Sequence, residues 1–362
     1  MSDDGQQSLS IQLLGAGCAS LSLAARAAEL PRHDLTIIDP GTHSSPNHIW
    51  GFWAMPWIQN TDDAIKKRWF NWCVVAPNMS VTHSTRSHPY CALKRHDWIA
   101  KCRGEAIKSG VKFDTKMDAD STVQILDSRP PAIPSDMMLQ HFAGFEVETE
   151  QPAFDDTTAI LMDFRCDQKL GMHFIYCLPF TDRHALIEST LFSPTVAPTT
   201  FYEEAIESYL CDILAVNSFS IIAREAGVIP LGVMPPHNPT FTGIGGNGGA
   251  IRPSSGYAFS FIQKQINQMI VDAEPSQPLK VKVPHSRFEI WMDHIFLAVI
   301  RNHPELSPTI FTRLAAKLSG DEFARFLSGD AGSIIWMKVI MAVPKLPFIK
   351  SLFAQKWAVA SS

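Results

Sequence analysis

No uninterrupted apolar run in this sequence approaches the roughly 18–20 residues that a membrane-spanning helix needs. No secretory leader is expected either, since the opening "MSDDGQQSLS" is polar and acidic. Positive charge is scarce: 31 Lys and Arg stand against 36 Asp and Glu, and the formal charge of −5 leaves no electrostatic footprint for nucleic acid. Seven cysteines, at positions 18, 73, 91, 102, 166, 177 and 211, form no CxxC pair and no metal-ligand cluster, so no metal site is expected. Their odd number, without a leader, reads as free thiols in a reducing compartment, hence a cytoplasmic chain. No internal repeat and no long low-complexity tract is evident.

What is present is enough apolar material for a large core, 46% of 362 residues, which suggests two or three structural units. Nine tryptophans offer broad aromatic surface to that core or to a ligand. Residues 9–39 read as a βαβ opening. Ile11–Leu14 make a buried strand, "GAGCAS" a turn, Leu21–Leu30 a helix that Pro31 helps to stop, and "LTIID" a second strand. "DDAIKKRWFNW" (62–72) looks partly helical, and 88–110 is strand or turn followed by a helix ended by Gly110. From 111 to about 192 the chain is strand-rich, with "MHFIYCLPF" and "ALIESTLFS" forming a hairpin around the polar turn "TDRH". Residues 202–214 are helical, 241–270 give a strand, a glycine loop and a helix, and 285–362 are mostly helical with stops at "NHP" and "VPKLP". The expected organisation is a disordered tail (1–8), a nucleotide-binding first part (9–110), an inserted β-rich substrate domain (111–225), a nucleotide-binding second part (226–275) and a helical C-terminal region (276–362).

Several clusters could carry chemistry. Gly15, Gly17 and Ser20 follow a strand and open a helix, where a pyrophosphate can approach the backbone and the helix N-terminus favours its charge. Asp39 ends the second strand 22 residues after Gly17, where a carboxylate accepts from a ribose hydroxyl. The bland alternative is an ordinary glycine turn. A second loop, "GIGGNGGAIRPSSGYAF" (243–259), lies far downstream. A single NAD domain has no need of it, whereas a two-part FAD site does, with Pro253, Ser254, Ser255 and Gly256 starting the helix that meets the flavin end; the alternative is a flexible hinge.

Glu188 stands in the apolar strand "HALIEST", with Leu186, Thr190 and Phe192 on its face and Ala185, Ile187, Ser189 and Leu191 on the other. Buried, it would be a protonated carboxyl and a proton donor; exposed, an ordinary strand glutamate. Asp163 and Arg165 in "LMDFR" are either an ion-paired strand surface or a second carboxylate held near the site. Trp50, Phe52, Trp53 and Trp57 are either core or a pocket wall whose π faces stabilise a cation. The tail 333–357 sets Lys338, Lys345, Lys350 and Lys356 among Trp, Met, Ile and Phe, as either an interfacial membrane anchor or a packed helix.

Together these stretches resemble the lycopene cyclase family of flavoproteins over most of the chain. "GAGCASLSLA" resembles its nucleotide motif, "NHIWGFW" its Asn-His-x-Trp signature, and "YCALKR" the segment placing an arginine, here Arg95, near the cofactor. "LMDFR" resembles Met-Asp-Trp-Arg with Phe164 for Trp. "YCLPFTDRHALIESTLFSP" resembles the hairpin bearing the catalytic glutamate, and "GGNGGAIRPSSGYAF" a Gly…Pro-Ser-Thr-Gly-Tyr loop with Ser255 for Thr. "FARFLSGDAG" and "VPKLPFIKSL" resemble the C-terminal region. The resemblance implies an α/β fold: a Rossmann-like FAD domain of the glutathione-reductase type, an inserted β-rich substrate domain and a helical C-terminal region.

It further implies a non-redox, acid-catalysed isomerase reaction. Glu188 protonates a linear end of lycopene, a neighbouring double bond closes a β-type ring, and loss of a ring proton ends the reaction. Whether the ring is β, ε or γ depends on which proton leaves. Asp163 assists by charge. Reduced FAD stabilises the cation, with NADPH or NADH as its reductant. The implied cofactor residues are Gly15, Gly17, Ser20, Asp39, Arg95, Gly246, Gly249, Pro253, Ser255 and Gly256; the implied substrate pocket contains Trp50, Phe52 and Trp53. An apolar polyene substrate fits peripheral attachment to a membrane surface. The rival readings are a redox flavoenzyme, a monooxygenase or reductase acting on a polyene or other isoprenoid, and a flavin- or carotenoid-binding membrane protein that has lost catalysis. "FTGIGG" lacks the Gly-Asp pair usual in hydroxylases.

Overall fold

The computed structural model describes residues 8–41, 47–118 and 123–360, with side chains through 353. The expected tail at 1–8 therefore lies almost wholly outside the described residues, as does the side chain of Lys356. The N-terminal strand Leu9–Leu14 pairs in parallel with His33–Ile38 on one side and Gln124–Asp127 on the other. Lys112–Asp114 and Thr242–Gly243 complete a five-stranded parallel sheet at its two edges. Apolar runs with little alternation, such as "IQLL", are buried on both faces, as parallel strands require. Ile11, Leu13, Ile37 and Leu126 pack with Leu21 and Leu23 of the helix Cys18–Ala24 and with Phe261 and Ile266 of the helix Phe259–Val271.

The second layer is a seven-stranded sheet. Its spatial order is Phe219–Leu231, Met138–Thr149, His184–Ser193, Met172–Pro179, Thr158–Asp163, Asn71–Ala76 and Met79–Ser84. The hairpin read around "TDRH" is present, with Tyr176 opposite Glu188. One face of this sheet packs against Ile206, Tyr209 and Leu210, beyond Ala185 and Ile187. The other turns Leu186 and Phe192 toward helices Arg287–Asn302, Ser307–Lys317, Gly320–Leu327 and Ser333–Ala342. A small antiparallel sheet of Ile49–Trp53, Tyr90–Lys94 and Ile65–Trp69 joins the two layers.

Several boundaries differ from the expectation. The break at 110 falls inside the parallel sheet, because Lys112–Asp114 and Gln124–Asp127 belong to it. The break at 225 cuts the strand Phe219–Leu231, which extends the β-rich sheet to 231. Within 62–72, Ile65–Trp69 is a strand, not helix, since pairing with Tyr90–Lys94 outweighs a weak helical pattern, and Asn71 opens another strand. The first helix ends at Ala24, short of Leu30, and is followed by a tight turn at Ala27–Glu29. The late helix begins at Phe259, three residues beyond Gly256, so Pro253–Gly256 form a turn before it. The helical C-terminus is as read, and boxes at Ser286/Glu289 and Ser319/Glu322 cap two of its helices. Among the described residues no helix is long and apolar enough to cross a membrane. The seven cysteines are free.

Candidate active site

A cavity of about 440 Å³ lies between the seven-stranded sheet and the C-terminal helices. Its walls are mostly apolar: Phe142, Leu161, Phe174, Phe192, Phe296 and Trp336 are among them. At one end it meets Cys18 of the first glycine loop and Ser254–Phe259 of the late one.

Glu188 projects into this cavity from the middle of its strand, on the face shared with Thr190 and Phe192. Burial, with the Glu225 carboxyl close beside it, pushes its carboxyl well above the usual range. This environment favours the neutral, proton-bearing form of Glu188. Glu225 is also pushed up, to about 7, first by burial. Its Oε2 accepts from the Ile49 N–H at 2.9 Å, while its Oε1 is buried without a hydrogen-bond partner among the described residues. Lys66 and Glu146 form an ion pair on its far side, and His184 Nε2 meets the same Glu146 oxygen at 2.7 Å.

Three tyrosines converge across from Glu188. Tyr90 and Tyr176 hydroxyls are 2.8 Å apart, and those of Tyr90 and Tyr257 3.4 Å. They meet over Gly51, where a Cβ would lie 2.2 and 2.4 Å from the Tyr90 and Tyr176 hydroxyl oxygens, so no other residue fits there. Burial raises all three phenols, Tyr257 to about 12, and keeps them neutral donors.

Asp163 stands elsewhere. The register shifts between Ile160 and Asp163, so Leu161 and Met162 both face the cavity and Asp163 turns to the opposite side of the sheet. There its carboxylate is fully buried, held by Arg165 Nη2 at 2.6 Å and by the Tyr209 hydroxyl at 3.1 Å. The carboxylate that accompanies Glu188 is Glu225, which the sequence reading missed. Its signal was the alternation of "FSIIAREAGVIPL", a stretch to which the sequence analysis assigns no element.

Of the three aromatic residues expected in the pocket, only Trp50 lines it, its ring 5.5 Å from that of Phe259. Phe52 packs on Phe259 in the nucleotide-side core. Trp53 is buried among Trp72, Tyr90 and Phe323. Neither lines the cavity: Phe52, on the same strand face as Trp50, is buried further along against Phe259, and Trp53, on the other face, is buried in the sheet–helix core.

The expected cofactor residues cluster at the C-terminal edge of the parallel sheet, where ligands of open α/β sheets sit. Gly15 has a φ of +87°, and the surface around Gly17 is open. Ser20 is fully buried, and its hydroxyl bonds Ser128 at 2.8 Å, so its role is packing between helix and strand. Asp39 is half-buried at the end of its strand, its Oδ1 accepting from the Gly41 N–H at 3.0 Å. Arg95 is half-buried near Cys18, and burial lowers its guanidinium. Gly246 and Gly249 shape the turn before Ala250 and stand back from the cavity. Pro253 is buried behind the wall, while Ser255 and Gly256 line it.

A dinucleotide flavin fits these residues. The Ser255 hydroxyl and the Gln140 carbonyl are buried at the cavity wall without partners, polar groups that a ligand would satisfy. Behind the late loop, Arg252 is buried and bonds Asp293 through Nε at 2.6 Å and Glu289 through Nη1 at 3.2 Å; Ser254 donates to Asp293 at 2.8 Å. This network ties the loop to the helix Arg287–Asn302.

The comparisons agree with this architecture. A lycopene beta-cyclase of Pantoea ananas is 23% identical over 94% of this chain and 96% of its own. A chloroplastic lycopene beta cyclase of Arabidopsis thaliana is 26% identical over 69% of this chain and 57% of its own. Among solved structures, a geranylgeranyl bacteriochlorophyll reductase-like protein from Thermoplasma acidophilum matches with a TM-score of 0.56 at 11% identity, covering 96% of this chain and 99% of the other. A flavin-dependent halogenase from Xanthomonas campestris matches with a TM-score of 0.54 at 12% identity over 94% and 90%. Both show the Rossmann-type fold expected from the two glycine loops. The family described as lycopene cyclase protein matches residues 11–124 and 115–352, so the chain belongs to the lycopene cyclase family.

Proposed function

We propose that this protein is a lycopene cyclase of carotenoid biosynthesis, closing linear ends of lycopene into β-type rings without net redox change. The observation that carries the reading is Glu188: a single protonated carboxyl projecting into a cavity walled by aromatic and aliphatic side chains. Such a wall cannot orient a polar substrate, but it accepts a hydrocarbon, excludes water and leaves a carbocation facing π surfaces.

Glu188 delivers its proton to the terminal double bond. The Tyr90, Tyr176 and Tyr257 hydroxyls are neutral dipoles beside it, bonded mainly to one another. Trp50, Phe174 and Phe192 hold the chain and exclude water. Gly15, Gly17, Asp39 and Arg95 would hold the adenosine and pyrophosphate of FAD, and the Pro253–Gly256 turn with Ser255 its ring end. A reduced flavin, recharged by NADPH or NADH, supplies an electron-rich surface that favours positive charge. Asp163, paired with Arg165 and Tyr209 behind the sheet, supports the strand that carries Leu161 and Met162.

The substrate dissolves in membranes, and the helices Ser333–Ala342 and Lys345–Ala360 fit peripheral attachment at the cytoplasmic face. Ile334, Met337, Met341, Leu346, Ile349 and Phe353 are exposed on them, while neighbouring Trp336 and Ile340 line the cavity. An interfacial surface beside the cavity gives the polyene a route that avoids water.

The test is expression in a bacterium that accumulates lycopene, followed by pigment chromatography with mass detection. A cyclic product of unchanged mass is expected. A product heavier by one oxygen or by hydrogen would replace this reading with a redox flavoenzyme.

A further inference from the structure

Glu188 and Glu225 come from strands that do not touch. Between them runs Met138–Thr149, in which Gly144 is paired with Glu188 on one side and with Glu225 on the other. Strands about 4.8 Å apart set the two glutamate backbones about 10 Å apart. A side chain at 144 would stand between them. A Cβ there would lie 2.7 Å from Glu188 Cγ and 3.3 Å from Glu225 Cγ. Across this gap both side chains lean inward, so the two carboxyl groups are neighbours and each acts on the other's proton affinity. Glu225 stays behind the wall: Glu188 lines the cavity and Glu225 does not.

We propose that Glu225 is a positioning residue for the acid: the two carboxyl groups share one proton across Gly144, and Glu225 fixes the orientation and the protonation of Glu188 without touching the substrate. This rests on the reading of Glu188 as the acid. The Glu225 Oε1, buried and without a hydrogen-bond partner among the described residues, is the acceptor for the Glu188 hydroxyl between turnovers, while the proton stays on Glu188. In the reaction the Glu188 O–H breaks as a C–H bond forms on the alkene, leaving both carboxylates ionised beside the cation. Two buried like charges make Glu188 strongly basic. When the ring C–H breaks to give the ring double bond, Glu188 takes that proton back. The pair begins and ends the cycle with one proton, and no oxidant or reductant is consumed.

The groups facing this pair are Tyr176 and Tyr257 on the Glu188 side and Lys66 and Glu146 on the Glu225 side. Lys94 and His184 act on Glu146, and His48 borders the same strand through the Ala226 carbonyl. A second proton enters the pair below about pH 7, where Glu225 becomes neutral. The negative charge behind the cation is then lost and the rate falls. The rate falls again at high pH, when the last proton leaves.

Two measurements on the flavin-loaded full chain test this. In infrared difference titration without substrate, the wild type should keep a protonated carboxyl band well above pH 7. In Glu225→Gln, where like-charge repulsion is gone, that band should vanish about one pH unit or more lower. In the pH–rate profile, Glu225→Gln should lose the acid limb and run about tenfold slower than wild type on the alkaline side. Gly144→Ala, which parts the pair but keeps both carboxyls, should behave likewise, with flavin content and melting temperature confirming the fold. A Glu225→Gln band that titrates with the wild type, or a profile that keeps the acid limb, overturns the proposal. If the band moves as expected yet the wild type forms no cyclic product, proton sharing stands and the cyclase reading fails.

Discussion

Replacing Glu188 with Gln is the sharpest perturbation of the acid, because the structure makes it nearly isosteric. The protonated carboxyl and the amide have the same shape, and an amide N–H can donate to the Glu225 oxygen that otherwise has no donor. The side chain keeps its volume on the strand face it shares with Thr190, so fold and flavin content should be kept. What is lost is the transferable proton. A positioned general acid contributes about 10²–10⁴ in rate, or about 2.7–5.4 kcal/mol of barrier. The assay is single-turnover conversion of lycopene in vesicles with reduced flavin, read by chromatography. Stability supplies a second, independent readout. Glu188 is raised in the folded state, so the native protein binds a proton that the unfolded chain releases above its ordinary carboxylate range. Stability must therefore fall as pH rises from about 4.5 toward the folded value, and Glu188→Gln should flatten this slope of melting temperature with pH. A variant that still cyclises within threefold of wild type would refute the acid role. An unchanged slope would refute the burial argument beneath it.

Asp163→Asn should cost about 1–3 kcal/mol in urea unfolding, by weakening the buried bonds to Arg165 and Tyr209, while rate per folded molecule stays within a few-fold. Arg252→Ala strands Asp293 and Glu289 as buried carboxylates and should cost about 3–5 kcal/mol, with weaker flavin retention measured by fluorescence. Ile334→Ser combined with Met337→Ser and Met341→Ser should reduce co-sedimentation with lipid vesicles and leave the melting temperature within a degree or two, since all three are exposed.

The fold was legible where one chemical requirement acts locally. The βαβ opening, the hairpin around "TDRH" and the alternation that aims Glu188 could be read because turn chemistry and period-2 patterning are local signals. Asp163 was misplaced because a bulge puts Leu161 and Met162 on one side, and a bulge leaves no mark in the period. Phe52 and Trp53 read as pocket wall because aromatic composition does not say which face of a strand meets a cavity. Glu225 went unseen because its meaning depends on Gly144, eighty-one positions earlier, and on a strand order that no local pattern encodes. The tyrosine cluster likewise gathers residues 90, 176 and 257 from three separate elements.

The Arg252 network has a consequence for how this enzyme can be rebuilt. The loop that would grip the flavin and the helix roofing the substrate chamber share one buried guanidinium. Roof and cofactor loop are thus a single mechanical part. A chimera that imports a relative's C-terminal helices to change which polyene is accepted must import the late loop with them. Otherwise a change meant for substrate choice will register first as lost cofactor.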